Sequence, residues 1–81
     1  MDSKNLEKIE SQTFRRLISH LQSRTDVQNI DIMNLAGFCR NCLYKWMHKA
    51  ASESDGDLSI EDAQHYVYGM NYDDWKKKFQ V

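Results

Sequence analysis

From Thr25 to Trp46 the chain reads TDVQNIDIMNLAGFCRNCLYKW, and the spacing of its apolar residues decides the architecture. Ile32, Leu35, Ala36, Cys39, Leu43 and Trp46, continued by Ala50, recur at three- and four-residue intervals and share one helical face, with Cys42 at its flank. Val27, Ile30 and Phe38 project on the other side, beside Asn34, Gly37 and Asn41. A helix that is apolar on two sides is usually buried on two sides. Gly37 has no side chain, so it lets another backbone approach, at a helix-propensity cost of roughly 1 kcal/mol. A chain of 81 residues has few elements with which to cover both faces. A second subunit or another protein, seated on Val27, Ile30, Gly37 and Phe38, is the expected cover.

Working outward, Thr25-Asp26-Val27-Gln28 reads as a turn and a new helix start. Thr25 and Gln28 have capping-box spacing, and Asp26 is the alternative cap. The stretch that follows is helical in character to about Ser52, either continuous or broken near Asp31. Before the turn, a helix should run from about Ser3, as its cap, to Arg24. Its core-facing stripe is Leu6, Ile9, Thr13, Phe14, Leu17, Ile18 and Leu21.

After Ser52, the polar loop Ser54-Asp55-Gly56-Asp57 leads to a helix capped by Ser59, with Asp62 three residues on. Leu58 can staple onto Ala63. Ile60, Ala63 and Val67 form the buried stripe, and Gly69 is placed as a left-handed stop. A last helix starts at Asn71, with Asp73 and Asp74 in its positive first turn and Tyr72, Trp75 and Phe79 on its apolar face. The expectation is an all-α fold, a small bundle of four to five helices, in a single domain over residues 1–81.

The composition excludes several classes. The net charge is −1, with 28% charged residues of both signs, which provides no field to attract nucleic acid. Lys76-Lys77-Lys78 reads as the solvated end of a helix, where cations suit the dipole. No apolar run approaches the length of about 20 residues that spans a bilayer, and the first residues lack the apolar core of a secretory leader. No membrane role and a cytoplasmic location are therefore expected. Two cysteines do not make the disulfide framework of a small secreted domain.

Chemistry-bearing residues are few. Cys39-Arg40-Asn41-Cys42 has C-x-x-C spacing, which places both sulfurs on one side of a helix. The pair could form half of a zinc site, exchange as redox thiols, or simply pack in the core, where free cysteine is common. Among the three histidines, His20 borders the first helix's stripe and is the leading further ligand, whereas His48 projects opposite Cys39. A redox role wants a helix N-terminus, and the pair reads as lying inside a helix. Core packing is thus preferred; no cofactor is expected, with zinc the possible exception. The register of a calcium loop around Gly56 fails, because Ala51 falls where the first acid belongs. Trp46, Trp75, Tyr66, Tyr68 and Tyr72 have the helical spacing of core residues rather than of a stacking platform. No nucleophile–base–orienter set, glycine-rich phosphate loop or H-E-x-x-H motif is present. The best ligand site is the polar run Asp26, Asn29, Asp31 and Asn34 together with Arg40 and Asn41, although caps and a helix break use the same residue types.

The run from Asp26 to Leu43, with Trp46, closely resembles the signature of a family of short, uncharacterised bacterial proteins catalogued as a domain of unknown function. The resemblance continues in Phe14-Arg15-Arg16-Leu17, His20-Leu21, Tyr68-Gly69-Met70 and Trp75-Lys76. It implies a small all-helical bacterial protein and supplies no activity. That the signature includes Asp26, Asn29, Asp31, Asn34, Arg40 and Asn41 implies a shared ligand or interface beyond a shared core. The functional expectation is a non-enzymatic module that forms a homodimer or binds another protein. A metal- or thiol-dependent protein using Cys39 and Cys42 is the alternative.

Overall fold

The computed structural model describes residues 2–81. It is all-α, with five helices in chain order: α1 (Ser3–Ser23), α2 (Asn29–Ala36), α3 (Arg40–Glu53), α4 (Ile60–Tyr68) and α5 (Tyr72–Phe79). The late boundaries fall where local chemistry puts them. The Ser59 side chain accepts from the Asp62 N–H at 3.0 Å and opens α4. Gly69, at φ 71°, closes α4 in the left-handed region. Asn71 accepts from the Asp74 N–H at 3.2 Å and opens α5. At the start of α1 the cap is Asp2 rather than Ser3, since the Asp2 carboxylate accepts from the Asn5 N–H at 2.9 Å.

The central stretch differs from its sequence reading. Its helix starts at Asn29, capped by Gln28 rather than Thr25 or Asp26. Asp31 lies within the first turn of α2, where its carboxylate accepts from the Gln28 N–H at 3.2 Å. The break comes instead at Gly37-Phe38-Cys39. Gly37 takes φ 78° and donates to the Met33 carbonyl at 2.9 Å, a left-handed stop that costs glycine little. Cys39 is extended and serves as the N-cap of α3. Nothing lies within 4 Å of where a Gly37 Cβ would stand, so this glycine acts as a helix stop within the protomer, and no backbone presses on it there. The break also dissolves the single face expected of a continuous helix. Cys39 and Leu43 are buried and Ile32 is half-buried, but Leu35 is 91% exposed, Trp46 is 56% exposed, and Ala36 and Ala50 face solvent.

The core is built by Ile18, Leu43, Tyr44, Ala63, Val67, Tyr68 and Trp75, with α3 against α4 as the most extensive helix pair. Phe14, Leu21, Leu58, Tyr72 and Phe79 close its margins. Only the second half of α1 takes part. A helix of 21 residues is about 31 Å long, and the protein measures 43 × 25 × 20 Å. Leu6, Ile9, Thr13 and Leu17 are therefore exposed, contrary to their expected place in the stripe, because α1 outruns the helices that could cover it. Periodicity marks the apolar side of a helix but not how far a neighbour reaches along it.

Candidate functional site

The only charged side chain buried among the described residues is Arg40, with 1% of its surface exposed. It is the first residue of α3, where its charge opposes that helix's own dipole. The compensation comes from another element. One guanidinium nitrogen donates to the Val27 carbonyl at 2.9 Å and the Asn29 Oδ1 at 3.0 Å. The other donates to the Arg24 carbonyl at 2.8 Å, with a longer contact to the Leu21 carbonyl at 3.4 Å. Arg40 thus gathers acceptors at the end of α1 and in the turn after it, where a helix carries partial negative charge. The guanidinium carbon stands 4.9 Å from the centre of the Trp75 ring, which supplies an electron-rich face. Among the described residues no carboxylate touches it. Burial lowers the Arg40 pKa from its ordinary value, with Tyr68 opposing that shift.

From Arg40 a chain of hydrogen bonds runs to the surface. Asn29 Nδ2 donates to the Tyr68 hydroxyl at 3.0 Å. Tyr68 donates to the Asn41 Oδ1 at 2.6 Å, and Asn41 Nδ2 donates to the Tyr72 hydroxyl at 3.1 Å. The Tyr68 and Tyr72 rings stack with centroids 4.6 Å apart. Burial drives the Tyr68 pKa upward, Asn29 pulls it back, and neighbouring Tyr72 adds to the rise. Beside the end of the chain lies a shallow cavity of about 240 Å³, lined by Gln28, Asn29, Ile30, Asn41, Tyr72, Gln80 and Val81. The Gln28 amide braces its rim by donating to the Phe79 carbonyl at 2.7 Å and accepting from the Val81 N–H at 3.2 Å.

The six polar residues expected to form a ligand site are divided by this arrangement. Asn29, Arg40 and Asn41 come together, but their hydrogen bonds are spent on the protein itself. Asp26 is exposed and held by Arg24 through two contacts of 3.0 Å, which keep its carboxyl pKa below the ordinary value. Asp31 caps α2, and Asn34 is exposed on that helix. The residues that sequence reasoning passed over are Tyr68, Tyr72 and Gln28. For the two tyrosines the signal was that a ring in a core stripe needs a partner for its hydroxyl.

The cysteines are both free, Cys39 buried and Cys42 half-buried. They lie at the start of a helix rather than in its middle: Cys39 is the N-cap of α3 and Cys42 the third residue of that helix, with the Cys42 N–H donating to the Cys39 carbonyl at 3.0 Å. His20 is exposed near the end of α1. Among the described residues no three His, Cys, Asp or Glu side chains converge at metal-binding range, so the set of His20, Cys39 and Cys42 is not assembled within one protomer. His48 has a different use, because its Nδ1 lies 2.8 Å from the Leu58 carbonyl. A carbonyl only accepts, so this nitrogen carries the proton and ties the loop before α4 to α3. Of the four expected interface residues, Ile30 is 62% exposed and Gly37 exposed, Val27 is half-buried, and Phe38 is half-buried against Trp46 at 6.1 Å between ring centroids. No described helix is long and apolar enough to cross a membrane.

The model of a family described as "protein of unknown function" matches residues 27–81, which takes in the end of the turn before α2 and the four helices from α2 to α5. Of the observed elements, α1 lies outside the match. No curated protein matches the chain.

Proposed function

Since the chain belongs to the DUF1244 family of proteins of unknown function, we propose that it acts in the cytoplasm as a non-enzymatic helical module that binds protein, a second copy of itself included. The observation that carries this reading is the uncovered apolar surface between Ile30 and Trp46. Leu35 is 91% exposed, Ile30 62% and Trp46 56%, and Met33 and Phe38 lie in the same stretch. One exposed leucine on a protein surface is ordinary. Several large apolar side chains on two consecutive helices are the usual composition of a contact surface. Asn29, Arg40, Asn41 and Tyr68 are meanwhile occupied by structural hydrogen bonds. Leu35 and Trp46 thereby join the expected surface residues as its most exposed large apolar side chains alongside Ile30.

The test is sedimentation velocity over a wide concentration range, on the wild type and on Leu35→Ser with Trp46→Ser. The wild type is expected to associate as concentration rises, and the folded variant to remain monomeric. A wild type that stays monomeric throughout, or a variant that associates equally, would count against self-association. Binding of a defined partner would then have to show the same dependence on Leu35 and Trp46.

A second reading, as a thiol-exchange protein, is supported by the position of Cys39 and Cys42 in the first turn of α3. Residues three apart at the start of a helix lie within disulfide reach. In that chemistry the two thiols give up two electrons and two protons to a disulfide such as oxidised glutathione. Its S–S bond breaks as the Cys39–Cys42 bond forms, and two glutathione thiols leave. Alkylation and mass measurement across glutathione redox buffers tests it, and a pair that stays reduced over the whole range sinks it.

A further inference from the structure

Cys39 holds the N-cap of α3, a position where serine, threonine, aspartate or asparagine normally accepts from an N–H of the first turn. Its thiol makes no such bond among the described residues. The backbone meanwhile brings the two cysteines together. The Cys42 N–H donates to the Cys39 carbonyl at 3.0 Å, which closes residues 39–42 into one tight turn. A turn of this kind holds its end Cα atoms less than about 7 Å apart, and disulfides span about 4.4–6.8 Å. The two thiols are unequal. Cys39 is 7% exposed and Cys42 is half-buried, so an incoming molecule meets Cys42 first.

The pair is set in the uncovered apolar surface. Trp46 follows Cys42 by one helical turn on the same face of α3 and is 56% exposed. Phe38 precedes the N-cap, and its ring stands 6.1 Å from that of Trp46 between centroids. The two rings therefore meet over the stretch of chain that carries both thiols. A small hydrophilic disulfide gains nothing from them, whereas a polypeptide with large apolar residues beside its disulfide gains their burial. We infer that the pair reduces polypeptide disulfides docked on Phe38 and Trp46, with Cys42 as the attacking thiol and Cys39 as the resolving one. The inference rests on the thiol-exchange reading and names its substrate class. Cys42 Sγ, as thiolate, bonds to one sulfur of the polypeptide's disulfide. That S–S bond breaks, and the second sulfur leaves as a thiolate that takes up a proton. Cys39 Sγ, having given its proton to solvent, then attacks Cys42 Sγ. The mixed disulfide breaks, the Cys39–Cys42 bond forms, and the first sulfur leaves and is protonated. Two electrons pass from the pair to the polypeptide, and the two protons released are the two taken up.

Two neutral peptides test it, each supplied as a symmetric disulfide dimer. One has leucine and phenylalanine beside its cysteine, and the other has serine and glycine there. Reduced protein is mixed with each, quenched with acid, alkylated and weighed by mass spectrometry. The wild type should form the Cys39–Cys42 disulfide at least about tenfold faster with the apolar peptide, the worth of burying one large apolar side chain. Cys39→Ser, which puts a good capping residue at the same position, should accumulate a mixed disulfide one peptide heavier, and Cys42→Ser should not. Trp46→Gln should lose the preference for the apolar peptide and keep the rate with the polar one. Leu6→Ser, at an exposed leucine of α1, should change neither rate. Circular dichroism shows whether each variant is folded. Equal rates with the two peptides, or a preference that survives in folded Trp46→Gln, would overturn the inference and leave thiol exchange standing. A mixed disulfide trapped in Cys42→Ser instead of Cys39→Ser would overturn the assigned roles. A wild type that neither peptide nor oxidised glutathione converts to the disulfide would remove the thiol-exchange reading itself.

Discussion

Replacing Arg40 with methionine keeps a long, flexible, apolar stem and deletes the guanidinium. Arg24 and Leu21 carbonyls would still accept from the backbone N–H groups of Val27 and Arg24, each at 3.1 Å. The Val27 carbonyl and the Asn29 oxygen would lose their partner, Arg40, which now holds them at 2.9 and 3.0 Å. An unsatisfied buried polar atom costs about 1–3 kcal/mol, so these two together cost roughly 2–6 kcal/mol. Losing the Trp75 face adds about 0.5–2 kcal/mol. Relief from burying a charge works the other way. The net expectation is a loss of about 3–5 kcal/mol, against a total stability of about 4–12 kcal/mol for a domain of this length. The melting temperature should fall by at least about 12 °C. Urea denaturation followed by circular dichroism measures it, with an unchanged slope as the sign that only stability has moved. Arg40→Lys keeps the charge without the planar fork and should fall about halfway between. If Arg40→Met lies within about 1 kcal/mol of the wild type, the view that Arg40 pins α1 and the following turn to the bundle is wrong.

Two further perturbations bear on the same architecture. Burial raises the Tyr68 pKa above its ordinary value of 10.0, so the unfolded chain releases this proton first as pH rises. The stability this group contributes is complete below about pH 10 and is lost above it, at about 1.4 kcal/mol per pH unit. Urea titrations between about pH 9 and pH 11 should be less steep for Tyr68→Phe by that amount, and parallel profiles would refute the assignment. The two left-handed glycines should respond differently to alanine. Gly37 at φ 78° has open space around it, so Gly37→Ala costs only backbone strain, about 1–2 kcal/mol, and Gly37→Asn should be milder. At Gly69 a Cβ would stand 2.9 Å from the Gln22 side chain, which donates to the Tyr66 and Val67 carbonyls at 3.0 and 3.3 Å. Thermal melts should therefore place Gly69→Ala below Gly37→Ala, and equal melts would mean that Gln22 moves aside without cost.

Legibility in the sequence followed the range of the interactions. Ser59, Gly69 and Asn71 act within one helical turn, so α4 and α5 could be read from their own residues. Gly37 was ambiguous, since a glycine inside a periodic pattern serves either a close contact or a stop, and only the backbone angle decides. The misplaced break then carried Leu35 and Trp46 onto a face that does not exist. Arg40, Asn29 and Asn41 could be singled out as unusual polar residues, but their grouping with Tyr68 and Tyr72 joins positions up to 39 residues apart. Nothing local announces a partner at that distance. The placement of the cysteines failed for the same reason as the break, because α3 begins where a continuous helix was expected.

The outward half of α1 has a consequence for motion. From Ser3 to Thr13 every residue is exposed, and the order of that segment rests on its own hydrogen bonds and on the Asp2 cap. Isolated helices of about that length are marginal in water. Amide exchange should therefore be fast from Ser3 onward and slow sharply past Phe14, where Ile18 anchors the helix in the core. The bundle can thus shed two or three turns of its first helix by local opening, and reform them, without unfolding the rest.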